Sequence, residues 1–233
     1  MRTYLITGAN RGIGLAITGQ LLARGDKVVA TARQPAQAEA LARLGAAAAG
    51  RLTLVELDVA SPASIAALPA QLAKAGITAL DVLINNAGVI GPKRQSTLDM
   101  DFDGFAETLA VNTLAPLRVA QVALPLLRAA KSSKILTITS RMGSLSHMTS
   151  DRIAYRTSKA AVNKVMQGLS TDLAADGIVV AVAHPGWVKT DMGGQAAAVE
   201  PAESARGLIA VVDRMKAGDA CTFYDYSGDI IPW

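Results

Sequence analysis

The stretch TGANRGIG (residues 7–14) decides the fold. It follows an apolar run, TYLIT (3–7), and opens a segment of helical periodicity from Gly12 to Arg24. Glycines at such a junction permit a tight turn and let the backbone approach a phosphate, whose negative charge the helix N-terminus favours. The spacing, G-x3-G-x-G, differs from the G-x-G-x-x-G dinucleotide fingerprint. The turn therefore indicates a nucleotide site, and glycine used only for its geometry is the alternative.

Apolar runs rich in β-branched residues alternate with helical segments along the whole chain. Predicted strands cover 3–7, 27–31, 52–57, 81–85, 134–139, 178–183 and 220–224. Predicted helices cover 12–24, 36–44, 62–75 with Ser61 as N-cap, 103–129 with bends at Pro116 and Pro125, 152–175 and 203–215. This alternation predicts an α/β fold. We expect a doubly wound, Rossmann-like parallel sheet of about seven strands with helices on both faces, in a single domain, 1–233.

The bulk composition excludes several classes of protein. The net charge of +4 over 233 residues is mild and scattered, which gives no reason to expect a nucleic-acid partner. Cys221 is the one cysteine, so no internal disulfide forms and a reducing compartment is expected. The N-terminus lacks the pattern of a signal peptide, and the apolar runs fall short of the ~20 residues of a membrane span. We expect a soluble cytoplasmic protein with no membrane partner.

Polar and turn-forming residues follow three more of the predicted strands. These stretches are INNAG (84–88), TITSRMGS (137–144) and AHPGWVKTDM (183–192). In a doubly wound sheet, ligands bind outside the carboxyl ends of the strands. All of these residues are therefore predicted to lie at one edge, beside the glycine turn.

The residues after the second and third strands bear on the choice of nucleotide. NAD-binding proteins commonly place an acid after the second strand, whereas this chain has Arg33 there and Arg11 inside the glycine turn. Because guanidinium groups suit a 2′-phosphate, NADP(H) is favoured and NAD(H) stays open. The alternative is that both arginines are ordinary surface residues. Asp58, after the third strand, is either an acceptor for the adenine amino group or a helix N-terminal acid. A methyltransferase is the main competing nucleotide-binding fold, although it too usually has an acid after the second strand.

The stretch YRTSK (155–159) places a tyrosine and a lysine on one face of a helix. Together with TGANRGIG, NNAG, the serine after the fifth strand and the PG after the sixth, it resembles the short-chain dehydrogenase/reductase family from Thr3 to about Met192. The resemblance implies that Tyr155 is the catalytic acid/base and that Lys159 binds the nicotinamide ribose and lowers the tyrosine pKa. It also implies that Ser140 holds the substrate oxygen and that Asn112 supports a proton-relay water.

The same resemblance implies an oxidoreductase that transfers a hydride between NADP(H) and a carbonyl compound or secondary alcohol. The implied cofactor contacts are Gly8, Asn10, Arg11, Gly12, Ile13, Gly14, Arg33, Asp58, Val59, Asn86, Ala87, Gly88, Tyr155, Lys159, Pro185, Gly186, Val188 and Thr190. Loop position suggests that Met142, His147, Trp187 and Met192 line the substrate mouth, with a substrate loop at about 186–202. Only two histidines are present, so no metal site is expected.

The end of the chain is similar to a C-factor-like subgroup, named for a bacterial developmental signalling protein and similar to small carbonyl reductases. The short segment after Gly186 predicts an open pocket. By analogy with the family, helices 103–129 and 152–175 are expected to form the pairing faces of a homodimer or homotetramer. An NAD(P)-binding signalling protein with secondary turnover, and an NAD-preferring dehydrogenase, are the alternatives.

Overall fold

The computed structural model describes all residues from Met1 to Trp233. Its strands are β1 (Thr3–Ile6), β2 (Lys27–Ala32), β3 (Leu52–Glu56), β4 (Val82–Asn85), β5 (Lys134–Ile138), β6 (Val179–His184) and β7 (Phe223–Asp225). Its helices are α1 (Gly12–Ala23), α2 (Glu39–Ala47), α3 (Pro62–Lys74), α4 (Phe102–Leu109), α5 (Ala115–Ala129), α6 (Ile153–Asp172) and α7 (Pro201–Arg214). Short 3₁₀ turns cover Pro35–Gln37, Arg141–Gly143 and Ala174–Asp176, and a π-helical stretch covers Ala110–Leu114.

The seven strands form one parallel sheet in the order β3-β2-β1-β4-β5-β6-β7. From β1 the sheet grows towards β2, and from β4 it grows in the opposite direction, towards β5. The crevice for a ligand therefore opens between β1 and β4, at the point where the order reverses. The predicted fold class is confirmed.

Two apolar cores of 24 buried residues each lie on opposite faces of the sheet. Tyr4 and Ile6 of β1 point into one core and Leu5 into the other, as the two-residue period of a strand requires. The first core includes residues of α1, α2 and α7, and the second includes residues of α3, α5 and α6. Since both faces are covered, the strands read as continuous apolar runs in the sequence.

Two predicted helices differ from the structure. The segment predicted as 36–44 splits into the Pro35–Gln37 turn and α2, which continues three residues past the predicted end, to Ala47. The last helix starts at Pro201 rather than at residue 203, because proline is favoured in the first turn of a helix. The prediction for α3 is correct, and the Ser61 side chain accepts a hydrogen bond from the Ser64 N–H at 3.2 Å.

The long predicted helix 103–129 is interrupted, but neither proline is the cause. The π-helical stretch Ala110–Leu114 separates α4 from α5, while Pro116 lies in the first turn of α5 and Pro125 lies inside it. By length and composition alone, the run Phe102–Ala129 passes the test for a membrane span, contrary to the sequence-based expectation that no segment is long enough. The buried residues Ala115, Val119, Ala120, Ala123 and Leu127 of this run belong to one of the two sheet cores, which is the setting of a core helix.

Candidate active site

The predicted site residues follow four strands at the carboxyl edge of the sheet. The glycine turn follows β1, the segment Asn86–Gly88 follows β4, Ser140 follows β5, and Pro185 and Gly186 follow β6. Because β1, β4, β5 and β6 are consecutive in the sheet, these segments surround one crevice.

The glycine turn has a shape that only glycine permits. Gly8 and Gly12 have φ values of 64° and 54°, in the left-handed region. A Cβ on Gly14 would lie 2.5 Å from the Gly8 carbonyl oxygen and 2.6 Å from the Asn86 Nδ2. The Arg11 side chain does not cap the first turn of α1, so the N–H groups of that turn are left for another acceptor. The turn therefore fits the phosphates of a dinucleotide.

Thr7 and Asn86 hold this turn in place. The Thr7 Oγ1 accepts the N–H groups of Asn86 and Ala87, each at 3.0 Å. The Asn86 Nδ2 donates to the Thr7 and Gly8 carbonyls at 2.8 and 3.0 Å. The sequence suggested that the amides after β4 face a ligand, but the Asn86 amide group is used to brace the turn. Thr7 was not predicted, since a threonine at a strand end has no distinguishing pattern.

Tyr155, Lys159 and Ser140 lie together and are buried. Their exposed fractions are 8%, 5% and 5%. The Ser140 hydroxyl lowers the pKa of the Tyr155 phenol, which indicates that the two groups are close, and its oxygen accepts the Met142 N–H at 3.1 Å. The Lys159 Nζ lies 5.7 Å from the centre of the Tyr155 ring and donates to the Ile138 carbonyl at 3.0 Å. The helical spacing of YRTSK thus places both side chains in the crevice rather than in solvent.

The pKa values of this pair are governed mainly by burial. Burial raises the pKa of Tyr155, and the nearby Ser140 hydroxyl and the charge of Arg152 oppose the rise. Burial lowers the pKa of Lys159 to about 8. Loss of water around the phenol therefore keeps the pKa of Tyr155 above its usual value in the protein without a ligand, and the lowering effect expected of Lys159 stays a prediction. Tyr155 keeps its proton at neutral pH and can donate it.

Asn112 lies in the π-helical stretch, a feature frequent at functional sites. Its Oδ1 accepts the Val89 N–H at 2.9 Å, and its Nδ2 donates to the Val89 carbonyl at 2.8 Å and to the Ser158 hydroxyl at 3.0 Å. The side chain therefore joins the loop after β4 to α6. A Cβ on Gly88 would lie 3.1 Å from the Asn112 Oδ1 and 3.6 Å from the Lys159 Nζ, so glycine keeps this junction open.

The residues predicted to distinguish the nucleotide are exposed. Arg33 follows β2 and makes no ion pair, whereas Arg11 pairs with Asp191 at 2.7 Å. Both partners of that pair are more than 65% exposed, so it contributes little and can be exchanged for a ligand. One oxygen of Asp58 accepts the Ala60 N–H at 3.0 Å, as the helix-terminal alternative requires, and its other oxygen remains for a ligand.

The remaining predicted cofactor residues lie in three places. Asn10 and Ile13 belong to the glycine turn, Val59 follows Asp58, and Val188 and Thr190 lie in the segment after β6. Asn10 is exposed, while Ile13 and Val59 are half-buried. Val188 is buried and its strand-like pairing with Val199 closes the segment 187–199 into a loop.

This loop lies against the glycine turn. Gly186 has a φ of 86°, and a Cβ on Gly12 would lie 3.1 Å from the Thr190 methyl carbon. The Trp187 indole N–H donates to the Gly193 carbonyl at 2.8 Å, so the indole closes the loop from outside rather than packing under it. The loop and the turn therefore form the two sides of the crevice.

The four predicted substrate residues are not all brought together. Met142 is half-buried two residues after Ser140, and Trp187 is 56% exposed on the loop after β6. Met192 lines a recess of about 490 Å³ together with the loop after β4 (residues 90–93, 95 and 96) and residues 150–152, which precede α6. His147 is exposed in a separate loop and does not line this recess. It also does not line the cavity of about 500 Å³ between α6 and the start of β6, which lies away from Tyr155.

Gln95 is a buried residue that sequence reasoning missed. Its Oε1 accepts the Tyr155 N–H at 3.1 Å, and its backbone carbonyl accepts the Ile153 N–H at 2.9 Å. Its Nε2 donates to the Ile90 and Pro92 carbonyls at 3.2 and 2.7 Å. One glutamine thus caps the first turn of α6, where Arg152 offers no side-chain cap, and fixes the loop after β4. A lone glutamine in a loop gives no signal in the sequence.

The comparisons with known proteins agree with this geometry. A family model described as short chain dehydrogenase matches residues 2–200. The chain belongs to the short-chain dehydrogenase family. It is thus an oxidoreductase by family, and the predicted resemblance is confirmed.

Three relatives place the chain within this family. The C-signal protein of Myxococcus xanthus is 44% identical over 155 residues, which cover 66% of this chain and 93% of that protein. The 1-hydroxy-2-glutathionyl-2-methyl-3-butene dehydrogenase of Rhodococcus sp. (strain AD45) is 34% identical over the full length of both proteins. An NADPH-bound carbonyl reductase from chicken fatty liver has 34% identity and a TM-score of 0.92, with 100% of this chain and 99% of that chain covered.

Proposed function

We propose that the protein is an NADP(H)-dependent carbonyl reductase, and a secondary alcohol dehydrogenase in the reverse direction. The observation that carries this proposal is the buried group formed by Ser140, Tyr155 and Lys159 beside the glycine turn. A buried proton donor next to a buried hydroxyl and a buried cation is the arrangement that reduction of a carbonyl requires.

Each residue of this group has a distinct task. When bound, NADPH supplies the hydride that is added to the carbonyl carbon. The Ser140 hydroxyl, which uses a lone pair for the Met142 N–H, keeps its hydrogen for the substrate oxygen and stabilises the negative charge that develops there. Tyr155 then gives its phenolic proton to that oxygen, which completes the alcohol. The phenolate recovers a proton from solvent, so one ketone, one NADPH and one proton give one alcohol and one NADP⁺.

Lys159 supplies the positive charge that this proton transfer needs. With a pKa of about 8, it is mostly protonated at neutral pH. Its hydrogen bond to the Ile138 carbonyl anchors the ammonium at the end of β5. The ammonium, 5.7 Å from the centre of the Tyr155 ring, favours the phenolate over the phenol. It therefore works against the rise in the Tyr155 pKa that burial causes, and it eases the proton transfer.

The preference for NADP(H) is supported by charge around the glycine turn. Arg33 is exposed after β2 and no acid takes its place, and Arg11 is held only by an exposed pair with Asp191. The NADPH bound to the chicken carbonyl reductase agrees with this preference. The exposed Phe102 and Leu114, on the helix predicted to form a subunit interface, support the proposal of a homodimer or homotetramer.

The test is a turnover assay with NADPH and with NADH against a panel of ketones, aldehydes and quinones. We expect NADPH oxidation with at least one carbonyl class, and a Tyr155→Phe variant slower by about 10²–10⁴-fold, since it lacks the proton donor. Tyr226→Phe, which loses only a 3.3 Å hydrogen bond to Glu203, is the matched control and should keep its activity. NADP binding without turnover above the Tyr155→Phe background would overturn the enzyme proposal and favour a binding protein.

A further inference from the structure

The recess of about 490 Å³ beside Tyr155 has a lining that the proposed chemistry does not use. It is bordered by the loop after β4 (residues 90–93, 95 and 96), by Ser150–Arg152 before α6, and by Met192. Gln95 belongs to this lining and also accepts the backbone N–H of Tyr155, so one residue lines the recess and holds the helical turn that carries the proton donor. A group of the substrate remote from the reacting carbonyl would therefore extend into this recess.

The recess carries two positive charges without a partner. Lys93 and Arg152 are exposed, and neither forms an ion pair. The one carboxylate of the lining, Asp151, is bound by Arg156 at 2.6 Å. The cation next to Lys93, Arg94, is likewise paired, with Asp99 at 3.0 Å, so Lys93 and Arg152 are the cations of this region that form no ion pair.

The backbone of Arg152 is strained. Its φ of 51° is left-handed, a region that residues other than glycine rarely adopt, and strain of this kind clusters at ligand-binding positions. The next residue, Ile153, donates its N–H to the Gln95 carbonyl, and this hydrogen bond fixes Arg152 at the start of α6. Its charge acts on the phenol, since it is one of the influences that lower the pKa of Tyr155. The guanidinium therefore lies within electrostatic range of the reacting atoms.

We propose that this recess binds a carboxylate of the substrate, so that the preferred substrates are ketones or aldehydes carrying a carboxylate a few bonds from the reacting carbonyl. The inference rests on the proposed carbonyl reductase function and names its substrate class. The planar guanidinium of Arg152 matches a carboxylate with two parallel hydrogen bonds, and the Lys93 ammonium adds a second charge. The Ser150 hydroxyl in the same lining is a further donor.

The test compares oxo-acids with their own methyl esters. For 2-, 4- and 5-oxo-acids and their esters, kcat/KM is measured with NADPH at low and high salt. We expect the acid to be preferred by about tenfold or more, mainly through KM, and the preference to shrink with salt because both cations are exposed. Lys93→Gln and Arg152→Gly should each lower the acid-to-ester ratio about tenfold. Arg152→Lys should restore part of it, while the paired Arg94→Gln should leave it as it is.

Arg152→Gly is chosen because glycine adopts the left-handed backbone without strain, so the variant removes the charge and keeps the fold. Equal kcat/KM for acid and ester, or an acid-to-ester ratio unmoved by both variants, would overturn the inference while leaving the reductase function intact. If no carbonyl is reduced, the proposed function fails, and binding of hexanoate against hexanamide to the NADP⁺ complex still decides the inference. Tighter binding of hexanoate, weakened by Arg152→Gly, would support it, and equal binding would overturn it.

Discussion

The two sides of the crevice are built differently. On the cofactor side, the glycine turn is braced by Thr7 and Asn86, whose polar atoms are spent on backbone groups of the turn and of the strand end beside it. On the substrate side, Lys93 and Arg152 have no partner, and Trp187 is 56% exposed. The first side has one geometry that its residues determine jointly. The second is an open surface that depends on few contacts, so changes there should alter which substrates are used rather than whether the protein works.

The strongest test of this contrast is Gly14→Ala on the cofactor side. The added methyl group would lie 2.5 Å from the Gly8 carbonyl oxygen, so the turn must shift. We expect the free energy of unfolding to fall by about 1–3 kcal/mol, and NADPH affinity and kcat/KM to fall together by more than about tenfold. Thermal unfolding and cofactor titration measure the two effects.

Gly19→Ala is the matched control for Gly14→Ala. Gly19 lies in the same helix, α1, and a Cβ there meets Leu44 at 3.5 Å, an ordinary contact. Alanine is the better helix former, so this variant should gain up to about 1 kcal/mol. If the two variants behave alike, the glycine turn is not the rigid side of the crevice.

On the substrate side, Gln95→Leu should have the largest effect. Gln95 is buried and makes several hydrogen bonds, unlike the exposed residues around it. Leucine keeps the volume and removes the cap on the Tyr155 N–H and both bonds to the loop after β4. A small displacement of a proton donor is costly, so we expect kcat to fall by about tenfold or more while the Kd for NADPH stays unchanged. A pH–rate profile should shift as well, because the environment of Tyr155 changes.

Gln71→Leu serves as the comparison for Gln95→Leu. Gln71 makes a single exposed hydrogen bond, to the Glu56 carbonyl at 3.1 Å, and its loss should leave kcat and the pH profile as they are. A Gln95→Leu enzyme with normal kcat and lowered stability would show that Gln95 is structural only and does not position Tyr155.

These contacts also explain what could be predicted from the sequence. The glycine turn and YRTSK are local patterns, since a turn or one helical face fixes their geometry, and their placement was correct. Gln95 reaches Tyr155 across 60 residues of sequence, so no local pattern announces it. The raised pKa of Tyr155 in the protein without a ligand could not be predicted either, because it follows from burial, which is decided by packing rather than by local sequence.

Arg33→Ala tests an exposed part of the cofactor side. Because Arg33 makes no ion pair, its loss should change which nucleotide is preferred rather than whether the protein works, as we expect for changes on the substrate side. We expect NADP⁺ affinity to fall by about tenfold and NAD⁺ affinity to stay the same, with a smaller difference in high salt, since an exposed cation is screened. Isothermal titration with both nucleotides gives the ratio. Arg43→Ala, an exposed arginine on α2, should not change it. An unaltered NADP⁺ to NAD⁺ ratio in Arg33→Ala would remove the argument for the 2′-phosphate.

The smallest expected effect lies at the far end of the crevice, where His184 ends β6. Burial lowers the pKa of His184 to about 4, with Asp225 opposing the shift and Arg141 adding to it, and its Nδ1 is buried without a partner. In the unfolded chain a histidine has a pKa of about 6.5. Between about pH 4 and pH 6.5, His184 is protonated in the unfolded chain but stays neutral in the folded protein. The contribution to stability is therefore complete above pH 6.5 and is lost as the pH falls towards 4.

His184→Asn should flatten this loss, with a Tm difference between pH 7 and pH 4 that is smaller by about 2–4 °C for each kcal/mol of linkage removed. His147→Asn, in an exposed loop, should leave the pH dependence of Tm unchanged. An unchanged acid slope in His184→Asn would mean that His184 is hydrated in solution. The substrate side would then be open to water as far as the end of β6, which would widen the contrast with the cofactor side.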